Sequence, residues 1–313
     1  VLDQLPAFKE DLKVYEFVQN KVLGLVPRTA APESDVAQIH QALVLGIRDY
    51  FQKSGFKKAT LGLSGGIDSA VVCALAVEAL GPENIVAVLL PSEFSSDHSI
   101  ADALALVQNV GCEQLTVPIK HATEAFEAML KPSFKDLPFN LTEENIQSRS
   151  RAVVLMALSN KFGYILLNTS NKSECAVGYG TLYGDMAGAI SVLGDVYKTQ
   201  VYQLANYINR NREIIPQNSI VKPPSAELRP GQKDSDSLPD YEVLDKLLFQ
   251  FIEQKQSPSA LIAQGFNESL VNKILKLVNQ AEFKRYQTPP ILRVSPKAFG
   301  PGRRMPIVGK YLT

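Results

Sequence analysis

Cysteine is scarce in this chain. Its three cysteines, Cys73, Cys112 and Cys175, stand far apart with no CxxC pair, so neither a zinc site nor a disulfide framework is indicated. Such usage points to a reducing compartment, hence the cytoplasm. Cys73 falls in an apolar helical stretch and Cys112 follows a helix end; both read as small buried side chains. Net charge is missing as well. Lys plus Arg and Asp plus Glu each total 32, which counts against nucleic acid as the main partner, because polyanion binding usually leaves a basic excess. No apolar run approaches the ~18 residues needed to span a bilayer, and no secretory leader is visible, so no membrane partner is expected. The first residue is Val rather than Met, and a processed or cut polypeptide is expected from that. What is present is ordinary for a globular protein: 313 residues, 45% hydrophobic and 20% charged. That length allows one large α/β domain with appendages, or two small domains.

Residues 1–33 read differently from the rest. Leu2 to Val22 carries a weak amphipathic pattern that Pro27, Pro32 and an Ala/Thr-rich stretch interrupt, as in a linker or docking segment. Ser34 or Asp35 can cap a helix running to about Lys53, with Gly55 after its end. Strand and helix signals then alternate: strand 58–63, helix 67–80, strand 84–90, helix 97–110, strand 113–117, helix 121–130, helix 142–162, strand 164–168. The strands are continuous apolar runs such as Ile85-Val86-Ala87-Val88-Leu89-Leu90, suited to a parallel sheet covered on both faces. This rhythm predicts an α/β fold, an open doubly wound parallel sheet flanked by helices, with ligands at the carboxyl ends of the strands. Residues 170–196, rich in Gly and polar groups, predict an active-site loop. A helix follows from 198 to 211, then a lid or ordered loop over 216–240, two or three C-terminal helices over 240–286 and an irregular tail.

The chemistry concentrates in Ser64-Gly65-Gly66-Ile67-Asp68-Ser69, between the strand and helix signals. The first N–H groups of a helix lack intrahelical partners and lie at the positive end of its dipole. Gly65 and Gly66 allow close backbone approach, Ser64 and Ser69 add hydroxyls, and Asp68 can hold a divalent cation whose other ligands are phosphate oxygens. Together they form an anion cradle for a nucleotide. The spacing fits neither the Walker loop nor the dinucleotide fingerprint.

That loop resembles the SGGxDS loop of the N-type ATP pyrophosphatases, whose fold is of the adenine nucleotide alpha-hydrolase type. Further segments narrow the resemblance: Asn145-Ile146-Gln147-Ser148-Arg149-Ser150-Arg151, Asn168-Thr169-Ser170-Asn171-Lys172-Ser173-Glu174, Gly178 to Asp185, Lys198-Thr199, Pro224-Ser225-Ala226-Glu227-Leu228 and Lys284-Arg285. In this order they resemble NAD synthetase, in detail the synthetase domain of the glutamine-dependent form, over residues 34–313. Residues 1–33 resemble the connector after a glutaminase domain that is absent here.

The resemblance implies ATP-dependent amidation of deamido-NAD through an acyl-adenylate, releasing AMP and pyrophosphate, with Mg²⁺ and with ammonia supplied free or by the glutaminase. It also implies a homo-oligomer, dimeric or larger. Gly62, Leu63, Ser64, Gly65, Gly66, Ile67, Asp68 and Ser69 would hold ATP, with Thr169, Lys198 and Ser225 beside the phosphates. Asp68 and Glu174 would hold the metal, and Asp68, Glu174 and Lys198 would form the catalytic group. Asn145, Arg149, Glu174 and Lys284 would contact deamido-NAD. Asn145 and Arg149, four apart, share a helix face. Leu182, Ala189 and Phe283 depart from the ammonia-dependent pattern of Lys, Asp and His. His40, His98 and His121 lie outside every motif and read as solvated or capping.

Other ligases with the same loop, such as GMP synthetase or asparagine synthetase, are not excluded by the loop alone. A tRNA-modifying enzyme of that class would carry a basic surface and a thiolating Cys pair, which this chain lacks. A subunit that only senses ATP would bind without releasing AMP.

Overall fold

The computed structural model describes residues 3–19, 21–22, 34–135 and 137–309. Of the segment read as a connector, positions 1, 2, 20 and 23–33 lie outside the described residues. The remainder is irregular apart from a hairpin in which β1 (Phe17–Val18) pairs antiparallel with β2 (Lys21–Val22).

From residue 35 the expected alternation holds. α1 (Asp35–Ser54) turns Leu43, Ile47 and Phe51 inward and ends at Gly55, whose φ of 75° closes the helix in the left-handed region. β3 (Ala59–Gly62), α2 (Ile67–Leu80), β4 (Ile85–Leu89), α3 (Asp97–Val110), β5 (Glu113–Thr116), α4 (Lys120–Phe134), α5 (Leu141–Phe162) and β6 (Ile165–Asn168) follow. The five-stranded sheet has the order β5-β4-β3-β6-β7, all parallel, with β7 (Ile190–Ser191) at the edge. β4 explains the apolar runs. Ile85, Ala87 and Leu89 pack with α1 and α2, whereas Val86 and Val88 pack with α5 side chains on the other face. Strand order reverses between β3 and β6. The loops leaving those two strands therefore face each other across a crevice.

Four expectations need correction. Residues 170–196 are not a plain loop: an Asn171–Glu174 capping box starts α6 (Lys172–Val177), and β7 lies in the same stretch. The helix expected over 198–211 stops earlier, as α7 (Lys198–Ile208). The C-terminal region holds four helices among the described residues, α9 (Tyr241–Ile252), α10 (Pro258–Ala263), α11 (Glu268–Gln280) and α12 (Glu282–Arg285). They follow α8 (Gln217–Val221), which sits within the expected lid. Leu244, Leu247, Leu248, Val271, Ile274 and Val278 build a second core against α6. The tail is less irregular than its composition suggests, since Ser191 N donates to Pro290 O at 2.8 Å and Leu292 N to Ser191 O at 3.1 Å, continuing the sheet past β7.

Candidate active site

The turn between β3 and α2 is tied together by its own hydroxyls. Ser69 Oγ donates to Gly66 O (3.0 Å) and accepts from Ser64 N (3.3 Å), and Gly66 N donates to Ser64 Oγ (3.2 Å). Gly65 has φ +80°, and a Cβ there would lie 2.1 Å from Ser99 O, so both conformation and space require glycine. Ser219 Oγ, from α8, donates to Gly65 O at 3.0 Å.

Asp68, in the first turn of α2, meets α6 and α7. Asn171 Nδ2 donates to Asp68 Oδ1 at 2.9 Å, and Lys198 Nζ pairs with Asp68 Oδ2. Lys198 Nζ lies 3.7 Å from Glu174 Oε1 and 5.4 Å from the centre of the Tyr241 ring. Burial, and then the charge of Asp68, push the Glu174 carboxyl up to about 8. Burial by itself would lower Lys198, but Asp68 and Glu174 outweigh it and hold its ammonium above the ordinary lysine range. Asp234 completes the cluster. It accepts from Tyr179 Oη at 3.2 Å and Tyr241 Oη at 2.9 Å, and burial raises its pKa.

Asp68, Glu174, Tyr179, Lys198 and Asp234 line a cavity of about 560 Å³, together with Ser96 and Ser99 of the α3 start, Arg151, Asp185 and most of the segment 222–233. Burial lowers the Arg151 guanidinium to about 10, and its Nε donates to Leu90 O at 3.1 Å. Glu227, at a positive φ of 49°, takes Ser96 N (3.3 Å), Ser96 Oγ (2.7 Å) and Ser99 Oγ (2.7 Å). The segment is thereby fastened across the cavity.

Gly62, Leu63, Ser64, Gly66, Ile67, Asp68, Ser69, Thr169, Glu174, Lys198 and Ser225 all border the cavity. Ser225 Oγ is engaged within its own segment, donating to Gln232 O at 2.6 Å. Asn145, Arg149 and Lys284 converge instead on the neighbouring loop at 178–182. Asn145 Oδ1 accepts from Thr181 Oγ1 (2.7 Å), Arg149 Nε donates to Leu182 O (3.2 Å), and Lys284 Nζ donates to Gly178 O (2.8 Å) and Gly180 O (2.7 Å). His40 is not solvated; it is 3% exposed, with Nε2 3.1 Å from Glu78 Oε2. Sequence reasoning passed over Asn171, Arg151, Asp185, Glu227 and Asp234. Their position inside recognised segments was the available signal for the first four. Asp234 lay in a stretch read only as a lid.

The β3–α2 turn, with Asp68 in its first helical turn and Glu174 and Lys198 brought against it from α6 and α7, has the chemistry of an anion-binding turn in an open α/β sheet. The family model described as NAD synthase matches residues 39–288, and the chain belongs to that family. It is 52% identical to a glutamine-dependent NAD(+) synthetase of Synechocystis, over 99% of this chain and 56% of that protein. It is 46% identical to one of Acinetobacter baylyi, over 98% and 57%. The chain thus spans little more than half the length of these curated relatives. Among solved structures, the glutamine-dependent NAD+ synthetase of Acinetobacter baumannii in complex with ADP matches with TM-score 0.69 at 42% identity, over 98% of this chain and 56% of that one. The NMN synthetase of Francisella tularensis matches with TM-score 0.69 at 31% identity, over 81% and 97%.

Proposed function

We propose that this chain catalyses the ATP-dependent amidation of deamido-NAD to NAD, the last step in making that dinucleotide, by way of a deamido-NAD adenylate. The carrying observation is the meeting of Asp68, Glu174 and Lys198 beside the Ser64–Ser69 turn, in one cavity large enough for a nucleotide. A carboxylate is a poor acyl donor, so its oxygen must first capture AMP from ATP. That transfer needs charge neutralisation and in-line positioning more than covalent help. The turn would bind the departing pyrophosphate through backbone N–H groups and the hydroxyls of Ser64 and Ser69. Thr169 and Ser225 border the same space. Lys198 would place its ammonium on phosphate oxygens. Asn145, Arg149 and Lys284, with Glu174, would hold deamido-NAD against the 178–182 loop.

Asp68 and Glu174 suit Mg²⁺. Both are hard oxygen donors facing a phosphate cradle, and among the described residues no group of three or more His, Cys, Asp or Glu forms an all-protein cage. Mg²⁺, when bound, would neutralise phosphate charge.

Residues 34–313 form the synthetase unit in this reading, and residues 1–33 connect it to a glutaminase domain that delivers ammonia. The coverage of the longer relatives supports that arrangement. α5 supports a homo-oligomer. Val154, Leu155 and Leu158 turn toward the sheet, whereas on the outward side Leu141 and Val153 are each more than half exposed and Met156 is partly so, as on a face that a second copy covers. A cytoplasmic location fits the reduced cysteines and the absence, among the described residues, of any helix long and apolar enough to cross a membrane.

The test is AMP and NAD formation from ATP and deamido-NAD, with ammonia or glutamine as the nitrogen source and the nicotinate mononucleotide as a competing acid. Ammonia should support turnover and glutamine should not. Equal use of the mononucleotide would redirect the assignment toward the chemistry in the name of the Francisella protein. Failure to release pyrophosphate with either acid would end it.

A further inference from the structure

We propose that Lys198 is the resident counter-cation of the divalent-metal position, and that metal gains Asp68 and Glu174 only when a triphosphate takes over the Lys198 ammonium. The inference rests on the reading of these carboxylates as Mg²⁺ ligands. It adds an order to that reading: nucleotide and metal enter together, and the nucleotide-free chain excludes the metal.

Each oxygen of the two carboxyl groups already has a cationic or N–H neighbour. Asp68 Oδ1 accepts from Asn171 Nδ2 at 2.9 Å, and Oδ2 is paired with Lys198 Nζ. Glu174 Oε2 accepts from Asn171 N at 3.3 Å, and Oε1 faces Lys198 Nζ at 3.7 Å. Asn171 is fully buried and itself fixed, its Oδ1 accepting from Glu174 N at 2.9 Å. Asn171 therefore spaces the two carboxylates from behind while Lys198 bridges them in front. A metal ion held by Asp68 and Glu174 would compete with Lys198 Nζ for the same oxygens.

Displacing Nζ leaves a buried ammonium in need of a new acceptor, since Lys198 is 2% exposed and an uncompensated buried charge is costly. Asp234 is the other carboxylate nearby, but its two oxygens already take the hydroxyls of Tyr179 and Tyr241. Phosphate oxygens in the Ser64–Ser69 cradle would supply the acceptor, because Lys198 and that turn line the same cavity. A lysine suits the exchange: its ammonium sits on a flexible stem and needs no fixed in-plane geometry.

The experiment follows Mn²⁺ by electron paramagnetic resonance on the chain without substrates, comparing wild type with Lys198→Met, Lys198→Arg and the double variant Asp68→Asn/Lys198→Met. Without nucleotide, Lys198→Met should bind Mn²⁺ at least roughly tenfold more tightly than wild type or Lys198→Arg, the scale of a coupling between sites. Adding Asp68→Asn should abolish the gain. Adding α,β-methylene-ATP to wild type should raise its Mn²⁺ affinity beyond what the analogue binds in free solution. If Lys198→Met melts early, the wild-type titrations with and without the analogue decide the matter alone. Equal Mn²⁺ affinity in wild type with and without the analogue would overturn the proposal, as would a folded Lys198→Met that binds no better than wild type. A chain that passes these tests yet makes no NAD would refute the proposed reaction and leave the exchange standing.

Discussion

Replacing Glu174 by Gln offers the sharpest check on the electrostatics of the site. Burial, and then Asp68, raise the Glu174 carboxyl from its ordinary 4.5 to about 8. The folded chain thus keeps a proton there that the unfolded chain releases. For an acid raised in this way, the stabilisation is complete below pH 4.5 and is lost as pH rises toward 8. Each pH unit in that window changes stability by about 1.4 kcal/mol, so three units set a ceiling of about 4 kcal/mol at pH 7.5. The attraction of Lys198, 3.7 Å away, is already contained in that raised value, so nothing further is subtracted from the ceiling. Gln mimics the protonated acid and does not titrate. Urea unfolding from pH 5 to 7.5 should therefore give nearly equal stabilities at the acid end. At pH 7.5 the Glu174→Gln variant should be the more stable by up to about 4 kcal/mol. Parallel pH profiles for the two proteins, or a less stable variant at pH 7.5, would refute the reasoning. A companion measurement is proton release: titrating Mg²⁺ and α,β-methylene-ATP into wild type in buffers of different ionisation heat should report a released proton that Glu174→Gln lacks.

Other outcomes follow from the same geometry. Lys172 is fully buried, with Asp195 Oδ1 and Glu253 Oε1 each 2.8 Å from Nζ; Lys172→Met would leave both buried carboxylates without their cation and should cost about 3 to 5 kcal/mol in urea unfolding. Gly65→Ala would put a Cβ 2.1 Å from Ser99 O at a positive φ; calorimetry should show ATP-analogue affinity lowered by about tenfold or more, with a smaller loss of stability of about 1 to 3 kcal/mol. Val153→Lys places a charge on the exposed apolar face of α5, and sedimentation should show a smaller assembly with the monomer's thermal stability unchanged within about 0.5 kcal/mol.

Local chain physics set much of this protein before any tertiary contact. The cradle is six consecutive residues, so its glycines, hydroxyls and acid are neighbours by covalent connection. β4 declares itself because a strand buried on both faces is apolar at every position, and Gly55, Gly111 and Gly163 close their helices with backbone angles that disfavour side chains. Other features depended on how the chain crosses itself. Asn171 and Lys198 lie 103 and 130 residues from Asp68 and reach it because the strand order sets the segments after β6 and β7 beside the β3 turn. Periodicity carries no record of that pairing. The same holds for Glu227 gripping the start of α3, for Asp234 between two tyrosine hydroxyls, and for the tail beside β7. Composition marked 170–196 as a loop, yet the Asn171–Glu174 cap and packing against α9 and α11 make part of it helix. Ser148 and Arg151 of α5 border the cavity, while Val154, Leu155 and Leu158 of the same helix pack on the sheet. Side chains at one turn answer to their neighbours in sequence, whereas a site assembled from several turns answers to the topology that gathers them.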